Sequence, residues 1–374
     1  MRNKIIFFFY LILVLLVGLY GLKKPNYNWD MLGYMAVVIG YDHSDPIFVH
    51  DTVYQIAKEQ VPAPIYNQLV DGGLEFRKRM AANSNEFDQQ LPFYSVKPLY
   101  TRMVYLFYKL GIPLIQSIHL PSLFSFFMMG FLLLFWIRKY IQFFLGLSVS
   151  LLIILSAPIL EVVRISTPDC LSAFLLFSAM YFILEAKSLI LTFLFLLLSI
   201  FARLDNVIPS IFILTLLTFS REWEHTISVN KYILMLLCFS ISCLSISFTT
   251  IRLGWSVFYY PTFMRSLNLS YAFHPQFHLR DYIGLAMSHF MTGLFSTNLL
   301  LFLSLSVLVF IERSYPGSRR LGFDQLFLCN IFFIIAVRFV LQPMIADRIY
   351  IPYYLCILIV LIRTLRRTKK NGLT

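Results

Sequence analysis

Apolar runs separated by short polar turns dominate the chain, and their spacing predicts helices that cross a bilayer. The first run, residues 5–22, follows Met1-Arg-Asn-Lys4. It is long enough to span roughly 30 Å of hydrocarbon at about 1.5 Å per residue. No small-x-small cleavage site precedes Lys23 and Lys24, so it reads as a retained signal anchor rather than a removed leader. Further runs fall at about 115–137, 141–160, 170–184, 189–202, 207–219, 232–251, 282–311, 325–341 and 349–362. The expectation is an all-α integral membrane protein of about ten transmembrane helices. The runs 189–202 and 207–219 are short for a full crossing, and the count drops by two if they form a re-entrant hairpin.

The longest polar stretch predicts a different environment. Residues 23–110 hold much of the Asp and Glu, and they divide into short helical patterns. Trp29 to Tyr41 reads as a helix. Ser44-Asp45-Pro46 opens another with a capping residue and a first-turn proline, and Pro62 and Pro64 end it. Tyr94, Tyr100, Tyr105 and Tyr108, interleaved with Lys97, Arg102 and Lys109, mark an interfacial helix before Gly111. The chain thus divides into a signal-anchor helix (1–22), a long first loop with amphipathic helices (23–110), a multi-span core (111–364) and a basic tail (365–374).

Composition supports lipid as the solvent. Hydrophobic residues make up 59% of the 374 and charged residues 13%, and the mean hydropathy is +0.73. The formal net charge of +12 excludes little by itself, but the Lys and Arg punctuate apolar runs instead of gathering on one exposed face, which argues against a nucleic-acid partner. Their placement orients the chain. An inside N-terminus leaves Arg138-Lys139, Lys187, Arg221 with Lys231, Arg313 with Arg319-Arg320, and the tail from Arg363 to Lys370 in the cytoplasm. The expected topology is therefore N-in and C-in, with the first loop extracytoplasmic. The five cysteines show neither CxxC spacing nor a paired framework and are expected as buried free thiols.

Four ionisable constellations then lie at one outer level. Asp30, in Asn28-Trp-Asp-Met-Leu-Gly-Tyr34, sits just beyond the first span, where a carboxylate can deprotonate an acceptor hydroxyl; a helix-start Asp serves capping equally well. Arg164-Ile-Ser-Thr-Pro-Asp169 joins two apolar runs, and charged groups at the edge of a membrane core need pairing or a wet cavity. Arg203-Leu-Asp205-Asn206 closes the next outer turn, and Ile345-Ala-Asp347-Arg348 the last. Arg164, Arg203 and Arg348 together suit a phosphate, while the carboxylates suit a sugar. The loop 254–281 adds His274, His278 and Arg280 among aromatic residues. The two histidines are four apart, but Pro275 lies between them and no HExxH frame surrounds them, so phosphate or sugar contact is favoured over zinc.

These residues resemble the C-type (GT-C) membrane glycosyltransferases. The shared layout is an N-in first span, a long outer loop with an early acid (Asp30), a proline-aromatic re-entry (Pro92-Phe-Tyr94, Lys97-Pro-Leu-Tyr100, Tyr108-Lys-Leu-Gly111), a Pro-Asp heading a later span (Pro168-Asp169) and an Arg-x-Asp (Arg203-Leu-Asp205). It covers roughly residues 5–219. The resemblance implies transfer of a sugar from a polyprenyl-phosphate donor to a glycan, lipid or protein acceptor on the extracytoplasmic face. Asp30 and Asp169 would be catalytic, and Arg164, Arg203, Asp205, His274, His278, Arg280, Asp347 and Arg348 would bind substrate. Many relatives carry paired acids in the first loop, whereas Asp30 is followed by Met31, with Asp42 and Asp45 further on. No cofactor is specified, a divalent cation being the one candidate. The expected location is a bacterial cytoplasmic membrane. The rival classes are a lipid-linked sugar flippase or transporter, which would use buried charges near mid-span, and a noncatalytic envelope-assembly protein.

Overall fold

The computed structural model describes residues 2–220, 222–223, 227–248, 277–313 and 322–371, and these are helical throughout apart from turns and a single parallel bridge between Asn26 and Ile165. Helix α1 (Arg2–Lys23) is apolar on every side and packs on one face only; 22% of its apolar window is buried. Tyr10 donates to the carbonyl of Gly130 (2.8 Å). A Cβ at Gly130 would come within 2.9 Å of Val14, so glycine is what lets the two backbones approach.

The polar stretch folds into a cap of short helices: α2 (Asp30–Ile39), α3 (Pro46–Gln60), α4 (Ala63–Val70), α5 (Glu75–Ala82), α6 (Ser84–Gln90), α7 (Pro92–Ser95) and α8 (Pro98–Lys109). Asp45 starts α3 by accepting from the Ile47 and Phe48 amides, as its Ser-Asp-Pro signal predicts. Val61 ends α3, and Pro62 and Pro64 open α4 as well as bounding the helix before them. Residues Met31 to Ile39 are all buried, so α2 is the core of the cap and not a solvated loop helix. Asp42 accepts from Tyr105 (2.8 Å) and pairs with Lys109 (2.9 Å), tying α8 to the end of α2.

The remaining helices form the bundle: α9 (Leu114–Ile137), α10 (Phe143–Ile154), α11 (Ala157–Arg164), α12 (Asp169–Tyr181, prolonged by a π-helical turn to Ala186), α13 (Leu189–Ala202), α14 (Val207–Phe219), α15 (Val229–Phe248), α16 (Leu279–Ser296), α17 (Leu299–Arg313), α18 (Phe323–Leu341) and α19 (Asp347–Asn371). Six helices among the described residues are long and apolar enough to cross a bilayer: α1, α9, α12 with its extension, α15, α18 and α19. Two expected single spans are instead broken. The run 141–160 divides into α10 and α11, bent by 58° around Ser156 and Pro158, and 282–311 divides into α16 and α17, bent by 74° at Thr297-Asn298. Counting each bent pair as one crossing gives eight, compatible with a multi-pass membrane protein. The helices α13 and α14 remain short, as the sequence indicates.

Helix α12 is the axis, with 78% of its window buried, and it packs against α9, α13 and α19. Its direction defines two ends. Asp169 begins it and Glu185 lies in its last turn, roughly 25 Å apart at 1.5 Å per residue. At the Glu185 end, Trp136 donates to that carboxylate (3.0 Å), Tyr140 bonds to it, and Lys139 (3.6 Å) and Arg363 (3.7 Å) pair with it. Helix α13 runs back from this end to the Asp169 end, and α14 returns, so that Glu222 meets Lys187 at 3.3 Å. Of the cysteines, Cys170 and Cys356 are buried as expected. Cys238 and Cys243 are half-buried, and Cys329 lies exposed, because α18 turns that side outward.

Candidate functional site

The site forms where the cap meets the Asp169 end of the bundle. The segment after α1 is stitched to the turn before α12: the Asn26 amide donates to the Arg164 carbonyl (2.8 Å), Arg164 donates to the Lys24 carbonyl (2.7 Å), and Ser166 donates to the Asn28 side-chain oxygen (2.5 Å). These bonds bring Asp30, two residues after Asn28, beside the Thr167-Pro-Asp169 turn.

Asp30 occupies the first turn of α2, where a carboxylate is favoured by the helix dipole. Its two polar neighbours hold it loosely. Asn28 and Tyr94 each donate at 3.4 Å, one to each oxygen, at the long limit of a hydrogen bond, so the half-buried carboxylate keeps capacity to accept another proton donor. Tyr94 reaches it across Gly33, where a Cβ would lie 2.3–2.5 Å from the tyrosine ring. The rings of Tyr34, Tyr94 and Tyr100 pack edge to face, with centroids 4.9–5.1 Å apart, as one wall.

Against that wall lies Lys97. Its ammonium sits 5.1 Å from the centroid of the Tyr34 ring and 5.4 Å from that of Tyr94, and donates to the Phe93 carbonyl (2.9 Å). Asp30, Asp169, Asp205 and Arg203 all act on it electrostatically. Burial pushes its pKa down to about 8, with Asp30 pulling the other way.

The bundle supplies an alternating chain of charges. Arg348 approaches Asp169 (3.6 Å), Arg203 pairs with Asp169 and grips Asp205 with two donors (3.0 and 3.1 Å), and Arg338 pairs with Asp205. Thr167 donates to Asp169 (2.9 Å). The Asn206 amide bonds Ser172 (2.7 Å) and the Ser199 carbonyl (2.8 Å), fixing the tip between α13 and α14 that carries Arg203 and Asp205. Charges this deep persist only when paired, and the alternation supplies the pairing. With Asp30 and Lys97 included, four cations face three carboxylates, so the site has room for one further negative charge.

Five of the expected residues therefore converge: Asp30, Asp169, Arg203, Asp205 and Arg348. Others are placed differently. The Arg164 guanidinium serves the Lys24 carbonyl, while Asp169 takes Arg203 as its partner. Asp347 accepts from the Asn298 amide (2.9 Å), the Asn298 side chain (2.5 Å) and Tyr354 (3.1 Å), so it braces the break between α16 and α17 and stands apart from Arg348 in function. His278 and Arg280 are exposed at the start of α16, and His274 lies outside the described residues. Two participants escaped the sequence reading. Arg338 was legible as a lone charge inside the apolar run 325–341, the kind of residue that needs a partner in a membrane core. Lys97 read as an interfacial base, because its neighbours Tyr34 and Asp30 are distant in sequence.

A divalent cation does not fit this geometry. Guanidinium groups interleave the carboxylates, and among the described residues no three His, Cys, Asp or Glu side chains converge as a metal site requires. The chain matches no family model, no curated protein and no solved structure.

Proposed function

We propose that this chain is a membrane glycosyltransferase of the GT-C type, moving a sugar from a polyprenyl-phosphate donor to an acceptor on the extracytoplasmic face of a bacterial cytoplasmic membrane. The observation that carries this reading is the loosely held Asp30 carboxylate beside a network with one cation in excess. Asp30 takes the proton of the acceptor hydroxyl, whose oxygen attacks the anomeric carbon. The bond from that carbon to the carrier oxygen breaks, and the electron pair leaves with the phosphate. Arg348 and Lys97, the cations with the weakest carboxylate ties, receive the charge that develops there. Arg203 and Arg338 are occupied by carboxylates and hold the frame.

Orientation follows from the two ends of the bundle. Lys139, Lys187, Arg363 and Arg366 gather at the Glu185 end, which the positive-inside rule assigns to the cytoplasm and which leaves the site outside. Ten crossings, with both termini inside, result when α13 and α14 count as spans beside the six long helices and two bent pairs. Their support is that α13 links the same two ends as α12. A transporter, by contrast, places its charges near mid-span, whereas these lie at helix ends.

The test is an assay of the purified protein in lipid nanodiscs with a panel of polyprenyl-phosphate sugars. The proposal expects sugar release or transfer from at least one donor. Movement of labelled lipid across the bilayer with no donor consumed would replace it with transport.

A further inference from the structure

A recess opens at the same end of the molecule, outside the charged network. It is a cleft of about 410 Å³ between the end of α1, the start of α9 and the end of α3. That volume falls within the range of about 300–1,000 Å³ usual for small-ligand sites. His119, 2% exposed, lines it, and neither ring nitrogen has a hydrogen-bond partner in the protein. A buried imidazole carries one donor and one acceptor, and leaving both unmet is costly. Gln116, one turn earlier on the same face of α9, and Gln60 at the end of α3 add two exposed carboxamides. Tyr27 stands edge-on to His119 with centroids 6.3 Å apart, and it precedes Asp30 by three residues. Leu22, Pro25, Pro113 and Ile115 complete the lining with apolar surface.

The chemistry of this lining narrows the ligand. All its polar groups are neutral, so a phosphate would find no cation here. An alkyl chain would leave the imidazole and the carboxamides unmet. Vicinal hydroxyls, each both donor and acceptor, satisfy them, while the C–H face of a sugar ring packs on the proline and tyrosine surfaces. We propose that the cleft binds a neutral pyranose ring through His119, Gln116 and Gln60. Its role as the acceptor subsite rests on the transferase reading; its binding chemistry does not.

The test uses the full chain in nanodiscs and saturation-transfer NMR with methyl glucoside, galactoside and mannoside as probes. At least one glycoside binds the wild type and Asp30→Asn. His119→Phe abolishes that binding, and the exposed-rim variants Gln116→Leu and Gln60→Leu, which leave the buried packing in place, weaken it about tenfold, the worth of one lost hydrogen bond. No glycoside binding to wild type, or binding unchanged in Gln116→Leu and His119→Phe, overturns the assignment, the cleft then holding water only. Glycoside binding that these variants abolish, with no donor turnover, sustains the cleft and removes its acceptor role. Donor turnover with no glycoside binding overturns the cleft and leaves the transferase reading standing.

Discussion

Two residues in contact with the site differ in what they can lose. Arg203 holds both Asp169 and Asp205, the first with a side chain only 4% exposed. Arg203→Ala leaves the buried Asp169 with Arg348 alone, at 3.6 Å, and unfolding measured in detergent should show a loss of about 3 kcal/mol. An unchanged unfolding midpoint would mean that the network does not hold the bundle together. Lys97 instead affects the pH profile. Burial places its deprotonation at about 8, so above that pH the ammonium loses its charge and, under the proposed function, the means to hold a donor phosphate. The donor KM should rise as pH passes 8, and Lys97→Arg should remove this rise because a guanidinium does not titrate there. A wild-type KM flat from pH 7 to 9.5 would remove Lys97 from phosphate binding. At this scale the sequence was informative where two charges share a turn, as in Arg203-Leu-Asp205. It was silent on Lys97, whose importance depends on Tyr34 and Tyr94 closing around it.

Among the elements, α2 and α8 carry the cap. Gly33 is where α2 admits the Tyr94 ring, and Gly33→Ala would drive a methyl into it. Tyr94 then leaves Asp30, and turnover should fall by about tenfold or more while the protein still purifies as a folded species. Wild-type turnover in a folded Gly33→Ala would separate Tyr94 from the chemistry. Helix α8 is tied to α2 by Asp42, whose hydrogen bonds from Lys109 and Tyr105 hold its pKa below the ordinary carboxylate value. The folded form favours the charged carboxylate, so this tie is complete above about pH 4 and fades as pH falls through the depressed value. Amide protection in α8, corrected for the intrinsic pH dependence of exchange, should therefore fall on acidification in wild type and vary less with pH in Asp42→Asn. Asp42 and Asp45, the later acids of the first loop, are each engaged here, one in this tie and one in capping α3. The start of α3 was readable from Asp45-Pro46. The breaks at Ser156 and Asn298 were harder to read, because Ser156-Ala-Pro158 and Ser296-Thr-Asn298 interrupt long apolar runs only briefly and packing completes each bend. Asp347, for instance, takes up the Asn298 amide at the bend.

For the whole molecule, hydropathy alone revealed an all-helical chain able to cross a membrane several times, since each long run must satisfy its backbone internally in lipid. It could not reveal how the ends of four separate elements meet. That convergence depends on α12, α13, α18 and α19 packing so that Asp169, Arg203, Arg338 and Arg348 reach the same level. The opposite end is closed by Glu185 and Arg363 in the same manner, roughly one hydrocarbon thickness away. The proposed function requires that Asp30, facing this network, be the base that activates the acceptor. Its most direct test is the rate of sugar transfer by folded Asp30→Asn in nanodiscs beside wild type. A fall of about 10²–10⁴-fold in turnover, with donor binding retained, is the expected result. Turnover within twofold of wild type would contradict it.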